Sequence, residues 1–157
     1  MQTLHELFLH GLNDILDAEQ QLVIALQGLA SDSSRGDLKK AFESHRIETE
    51  GHVRRLHQCF ELLGERPRNT ECRGIRTLIV ETKAFRQEGP AEGVINAFNL
   101  AVGIKSETYE IREYESLIDM AAEMKLTDVA KLLTENLREE RTALKKLAGF
   151  SSSGLNC

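Results

Sequence analysis

Four glutamates stand out because each interrupts a stripe of apolar residues spaced for one face of a helix. Three of them are Glu19, Glu48 and Glu107, and the fourth is either Glu139 or Glu140. A carboxylate on the buried side of a helix must find a cation, stay protonated or bind a metal, because an unpaired buried charge is very unfavourable. Four such groups would repel one another unless cations neutralised them. The pattern therefore predicts two metal ions bridged by carboxylates.

Further candidate ligands flank these glutamates. His45 and His52 lie on the same predicted helix face as Glu48, and Glu110 follows Glu107 by one turn. Either histidine is as readily explained as an ordinary hydrogen-bonded residue. Oxygen ligands with some imidazole suit iron or manganese, and open positions on such metals allow oxygen or peroxide chemistry. The predicted metal ligands, for iron or manganese, are Glu19, Glu48, Glu107, Glu110, Glu139, Glu140 and His45.

This set departs from the usual di-iron helical bundle, in which two helices carry Glu-x-x-His. Gly51 follows Glu48 at that spacing, and Thr142 follows Glu139. A site built from this chain would be richer in carboxylate and poorer in imidazole than the usual one. Two other interpretations therefore stay open: a metal-free helical interaction module that kept the fold, and a protein for iron storage or detoxification. No catalytic residue and no organic cofactor site is predicted.

Five helical segments have to position these residues. Helix A begins at Thr3, which opens a Thr-x-x-Glu capping box, and helix B runs from about residue 34 to 63. A connection over residues 65–91 contains one shorter helical pattern. Helix C follows over about residues 91–124, and helix D starts at residue 127 after a very short break.

The lengths of the connections predict the topology. Short loops join A to B and C to D, so each pair should form an antiparallel hairpin. Residues 65–91 are long enough to cross the full length of a bundle. Two hairpins with one long crossover make an all-α, ferritin-like four-helix bundle, here with a short extra helix in the crossover. We expect this domain to span residues 1–149 and residues 150–157 to form a flexible tail.

Composition narrows the class of protein. The 157 residues suit one domain. A net charge of −5 argues against sequence-independent binding of nucleic acid. No apolar run approaches the ~20 residues that cross a bilayer, and the start lacks the pattern of a signal peptide. Three cysteines without metal-binding spacing fit a reducing compartment, so we expect a cytoplasmic protein without membrane or nucleic-acid partners.

Four short segments resemble, in matching order, the bacterial YciE/YciF-type stress proteins of the ferritin-like superfamily. They are Asp17–Leu22, His45–Thr49, Glu107–Ile111 and Leu137–Glu140, and the resemblance extends over about residues 3–148. It implies a ferritin-like bundle, often dimeric, with a dinuclear metal site and a link to stress responses. We therefore expect a homodimer whose ligands are metal ions or small oxygen species. Oxidoreductase or peroxide-handling activity is one interpretation, and the reaction stays open.

Overall fold

Five α-helices make up the described part of the protein, residues 1–151 of this computed structural model. They are α1 (Leu4–Asp32), α2 (Gly36–Leu63), α3 (Arg73–Gln87), α4 (Glu92–Glu123) and α5 (Thr127–Ser151). Residues 1–151 contain no strand, and none of their helices combines the length and apolar character needed to cross a bilayer. The predicted all-α class is confirmed.

The four long helices form a bundle, and α3 lies outside it. Helix α1 packs against α2 and α4, and α5 packs against the same two helices. Residues 33–35 join α1 to α2, and residues 124–126 join α4 to α5, so both hairpins have short turns. The crossover, residues 64–91, carries α3 along α1 and α4. The predicted ferritin-like arrangement of two hairpins and one long crossover is confirmed.

The helix ends follow local capping chemistry. The Thr3 hydroxyl accepts a hydrogen bond from the Glu6 backbone N–H at 3.1 Å, and the Glu6 carboxylate accepts one from the Thr3 N–H at 3.2 Å. Gly64 ends α2 with a φ of 66°, a left-handed conformation that glycine adopts without a Cβ clash. Of the predicted tail, Phe150 and Ser151 are helical, and residues 152–157 lie outside the described residues.

Two apolar cores lie towards opposite ends of the bundle. The larger core is built around Phe8, Leu12, Leu56, Leu117 and Leu133. The smaller core includes Leu26, Phe42, Leu100 and Leu147. Along α2, α4 and α5, buried polar residues lie between the residues of one core and those of the other, whereas on α1 Glu19 is followed by Leu22 of the larger core before the smaller core begins at Leu26. The bundle therefore has a polar layer between two apolar layers.

Gly74, in the first turn of α3, marks a close approach of α3 to α4. A Cβ at this position would lie 2.8 Å from Tyr109 Cε2 and 2.9 Å from Tyr109 Cζ. We expect Gly74→Ala to lower the free energy of unfolding by about 1–3 kcal/mol, because the aromatic ring or α3 must move. The control is Gly93→Ala in the first turn of α4, where a Cβ meets nothing within 4 Å. Urea unfolding compares the two variants, and equal stabilities would contradict the expectation.

Candidate metal centre

The polar layer gathers six side chains that are almost fully shielded from solvent. Helices α1 and α5 each contribute one, and α2 and α4 each contribute two. They are Glu19, His45, His52, Glu107, Glu110 and Glu140, none more than 6% exposed. Their position follows from helix periodicity, since residues three, four or seven apart lie on one face.

Five of these residues form two overlapping triads. The first triad is Glu19, His52 and Glu140, and the second is His45, Glu107 and Glu140. Within each triad, one possible ligand atom from every residue lies within 4.8 Å of the others. Glu140 belongs to both triads, and the two histidine rings are 6.1 Å apart between centroids. The layer therefore provides possible ligands for two adjacent ion sites that share one carboxylate.

His52 contacts carboxylates with both of its ring nitrogens. Its Nδ1 lies 2.7 Å from a Glu140 oxygen and 3.2 Å from a Glu19 oxygen. Its Nε2 lies 3.0 Å from a Glu139 oxygen at the edge of the layer. One nitrogen thus faces the inner carboxylates, and the other is held by an outer one.

His45 repeats this arrangement with its nitrogens exchanged. Its Nε2 lies 3.1 Å from Glu107 and 3.5 Å from Glu140, while its Nδ1 lies 3.1 Å from Glu48. Histidines that bind metals commonly have an outer carboxylate on the nitrogen that faces away from the ion, which orients the ring and raises its basicity. Both histidines of this layer have that pattern.

Glu48 is the predicted ligand that the structure places differently. Its side chain is 44% exposed, so the prediction that it faces inward is wrong. Helix α2 turns His45, Thr49 and His52 towards the interior, and this spacing of four and three residues leaves Glu48 on the rim. Its role as a ligand stays a prediction, and its observed contact is with His45.

The structure shows which of Glu139 and Glu140 on α5 faces inward, a choice that the sequence left open. Glu140 is fully buried, whereas the side chain of Glu139 is 19% exposed and pairs with Arg55 as well as His52. Glu140 therefore faces the centre, and Glu139 reaches it only through a histidine. His52, an alternative in the sequence, proves to be central. Its signal was its position seven residues after His45, two full turns along one helix face.

Burial and mutual repulsion keep protons on some of these carboxylates. Burial, reinforced by the charge of Glu107, raises the pKa of Glu140 to about 8. Burial also raises the pKa of Glu110 well above its ordinary value, and Glu140 and Glu19 add to that effect. The pKa of Glu19 is raised by burial despite the opposing attraction of His52.

In their ionised form, the carboxylates of the layer favour positively charged histidines. Burial alone would lower the pKa of His52, but Glu19 and Glu140 raise it to about 10. Burial would also lower the pKa of His45, but Glu107 and other carboxylates raise it well above its ordinary value. Two protonated histidines still cannot match the four buried glutamates of the layer once all of these ionise.

Unsatisfied oxygen atoms mark the same place. Among the described residues, Glu107 Oε2, Glu110 Oε1 and both carboxylate oxygens of Glu140 are buried without a hydrogen-bond partner, although histidine nitrogens lie near two of these residues. Buried polar atoms nearly always have partners. Two divalent cations, bound as the two histidines release their ring protons, would supply the missing partners and balance the charge of the four carboxylates. The residues present therefore fit a dinuclear metal group.

Comparison with known proteins places the chain in a family. Residues 3–156 match the family described as a domain of unknown function, DUF892. The curated protein YciF of Escherichia coli strain K12 is 32% identical over 157 residues, which cover 99% of this chain and 95% of that protein. The chain belongs to the DUF892 family. The resemblance to YciF-type proteins is thereby confirmed.

Solved structures of related proteins have the same fold. The structure of YciF, described as an E. coli stress protein, matches with a TM-score of 0.94 at 32% identity, covering 99% of both chains. YcfI of Rhodopseudomonas palustris matches with a TM-score of 0.91 at 38% identity, covering 94% of both chains. A protein of Xanthomonas campestris, at 18% identity and a TM-score of 0.77, covers 96% of this chain and 92% of its own and supports the fold alone.

In this DUF892 protein, a hydrogen-bond network holds Glu19 and Glu139 in place. The Tyr114 hydroxyl donates to Glu19 and accepts from the Asn136 side-chain amide at 2.9 Å. Arg55 donates both to the Asn136 side-chain oxygen and to Glu139. All four long helices are joined by this network. The sequence interpretation missed it, although Asn136 stands three residues after Leu133, next to the stripe that Glu140 interrupts.

Removing the Tyr114 hydroxyl tests the network. We expect Tyr114→Phe to destabilise the metal-free protein by about 1–2 kcal/mol, because it leaves Glu19 and Asn136 with fewer buried partners. Tyr109→Phe is the matched control, since among residues 1–151 the Tyr109 hydroxyl has one hydrogen-bond partner, the weakly bonding Cys72 thiol at 3.5 Å. Urea unfolding after chelator treatment measures both. A Tyr114→Phe variant no less stable than Tyr109→Phe would count against the network.

Proposed function

We propose that this protein is a stress-associated metal protein that binds two iron or manganese ions in the polar layer and reacts with oxygen or peroxide. The observation that carries the proposal is the paired arrangement of His45 and His52. Each directs one ring nitrogen towards the shared Glu140 and the other towards an outer carboxylate. The association with stress is supported by the description of the relative YciF as a stress protein.

The residues divide into inner and outer groups under this proposal. Glu19 and His52 would hold one ion, His45 and Glu107 the other, and Glu140 both. Glu110, buried beside them with an unpartnered oxygen, would add a further oxygen ligand.

The surrounding side chains have supporting roles. Glu48 and Glu139 orient the two histidines, and the apolar cores on either side exclude bulk water. Bound iron or manganese would supply Lewis acidity and open positions for small oxygen species. Tyr114, bonded to Glu19 within the layer, fixes the orientation of that carboxylate.

Elemental analysis of protein purified without chelator tests the proposal. We expect about two iron or manganese ions per chain, as in other dinuclear bundles. The loaded protein should consume peroxide faster than the same protein after chelation. Absence of bound metal, even after anaerobic reconstitution with iron, would overturn the proposal.

A metal-free interaction module is the second candidate, and a specific observation favours it. Each buried histidine already makes close ion pairs with three carboxylates, which partly neutralise the layer without a metal. Under this alternative, neither iron nor manganese raises the melting temperature. A rise that disappears when the glutamates are replaced would exclude it, because only a ligand of the folded state stabilises that state.

We further propose that the protein is a cytoplasmic homodimer without membrane or nucleic-acid partners. This part of the proposal rests on the likeness to YciF-type proteins and on the absence of a strongly basic composition. Light scattering measures the assembly directly. A monomer would contradict the dimer, and a large cage of many copies would instead favour iron storage.

A further inference from the structure

A cavity of about 350 Å³ lies between α1, α3 and α4. Helix α3 contributes one continuous face to its wall. The residues of that face are Ile75, Leu78, Ile79, Thr82, Lys83 and Arg86. Their spacing of three and four residues is that of the inward side of a helix, so the cavity runs along most of α3.

The apolar surface of this cavity is incompletely covered by the protein itself. In α3, only Ile75 and Thr82 are buried, while Leu78 and Ile79 remain half-buried. On the α1 side of the opening, Ile24 is 74% exposed. Burying an aliphatic side chain of this size stabilises by about 1.5–3 kcal/mol. An apolar ligand in the cavity would therefore gain contacts that the chain does not make internally.

Most polar groups of the wall are already satisfied within their own helices. The Thr82 hydroxyl donates to the Leu78 carbonyl oxygen at 2.8 Å, and the Ser106 hydroxyl donates to the Gly103 carbonyl oxygen at 2.9 Å. The Gln21 amide is likewise bonded, to Asp17. These groups do not demand water or a polar ligand, so this part of the cavity offers mainly apolar surface.

The two residues at the C-terminal end of the α3 face, Lys83 and Arg86, are cationic. Arg86 pairs with Asp32, yet its Nε atom is buried without a hydrogen-bond partner. The described residues provide no ion-pair partner for Lys83. Asp32 neutralises Arg86, so within the described residues the unpaired positive charge at this end of the otherwise apolar cavity is that of Lys83, which complements an amphipathic anion.

We propose that this cavity binds a small amphipathic carboxylate of the medium-chain fatty-acid class. The apolar chain lies between α1 and α3, and the carboxylate meets Lys83 and Arg86. A volume of about 350 Å³ is at the small end of the ~300–1,000 Å³ typical of ligand pockets, which fits a single short chain and not a phospholipid. The site is separate from the two metal triads, and its occupation does not depend on bound metal.

Isothermal titration with decanoate, kept below its micelle concentration, tests the proposal. We expect saturable binding with one decanoate per chain, equal in chelator-treated and metal-loaded protein. Decyltrimethylammonium, with the same chain and the opposite charge, should bind at least about tenfold more weakly. Lys83→Met should weaken decanoate binding about tenfold. Lys40→Met, an exposed lysine on α2 outside the cavity, should bind decanoate as the wild type does.

A second variant tests the cavity itself. Ile79→Trp fills the space between α3 and α1 and should abolish binding, and helical circular dichroism verifies its fold. Should Ile79→Trp not fold, Ala25→Leu on the α1 wall provides a smaller filling. No saturable decanoate binding by the wild type would overturn the proposal, as would equal binding by wild type and every folded cavity variant. Absence of wild-type binding together with a dimer that Ile79→Trp dissociates would assign this face to a second copy instead.

Discussion

Glu140→Gln is expected to prevent binding of both proposed metal ions, whereas Glu19→Gln and Glu107→Gln should each prevent binding of about one. The difference follows from the geometry, since Glu140 belongs to both triads and the other two glutamates to one each. Glutamine keeps the shape of the side chain but lacks the negative charge that a bridging ligand supplies. The measurement is metal content per chain after reconstitution with iron or manganese. We expect about two ions in the wild type, one in Glu19→Gln, one in Glu107→Gln and none in Glu140→Gln.

Glu135→Gln is the matched control for this series. Glu135 lies on the same helix, but its side chain is 49% exposed and its contact is with Arg55. This variant should retain the metal content of the wild type. Full metal content in Glu140→Gln would remove this residue from the proposed ligand set. A loss of helical circular dichroism would instead indicate that the fold had failed.

Chelator-treated protein is expected to lose stability as the pH rises from about 5 to 10. The pKa of His52 is about 10 in the folded protein, compared with an ordinary value of 6.5. The stabilisation by charged His52 is therefore complete below pH 6.5 and is lost as the pH rises through 10. Since one pKa unit corresponds to about 1.4 kcal/mol, this loss is on the order of 5 kcal/mol.

Glu140 acts in the same direction at lower pH. Its pKa is raised from 4.5 to about 8, so between these values the folded protein holds a proton that the unfolded chain has released. Stability therefore falls with rising pH over this range as well. Urea unfolding at a series of pH values measures the slope. His52→Gln should flatten the upper part of the curve, whereas His57→Gln, an exposed histidine on the same helix, should not.

Much of the fold and part of the centre could be predicted from the sequence. Helical periodicity and short connecting turns specified two hairpins, and the length of the crossover specified their arrangement. Glu19 and Glu107 were evident because they replace apolar residues on long stripes, and the structure buries both. These signals are local, since they depend on spacing along a single helix.

The remaining features depend on contacts between helices and on the rotation of each helix. The sequence placed His45, Glu48 and His52 on the inner face of α2, and the structure buries both histidines but leaves Glu48 on the rim. The bonds from Arg55 to Asn136 and Glu139 join residues more than 80 positions apart. No single-helix pattern could have predicted that pairing.

The polar layer between the two apolar cores also fixes how the helices are aligned along their axes. Leucine-rich seams alone tolerate sliding, because one turn of leucines resembles the next. A slide of one turn, about 5.4 Å, would move Glu19 away from Tyr114 and His52 and into the apolar residues of a neighbouring core. Unpaired burial of that kind is strongly unfavourable. The charged residues therefore favour one alignment of the helices over its one-turn alternatives, and a relative that had lost all reactivity would still have a structural reason to keep them.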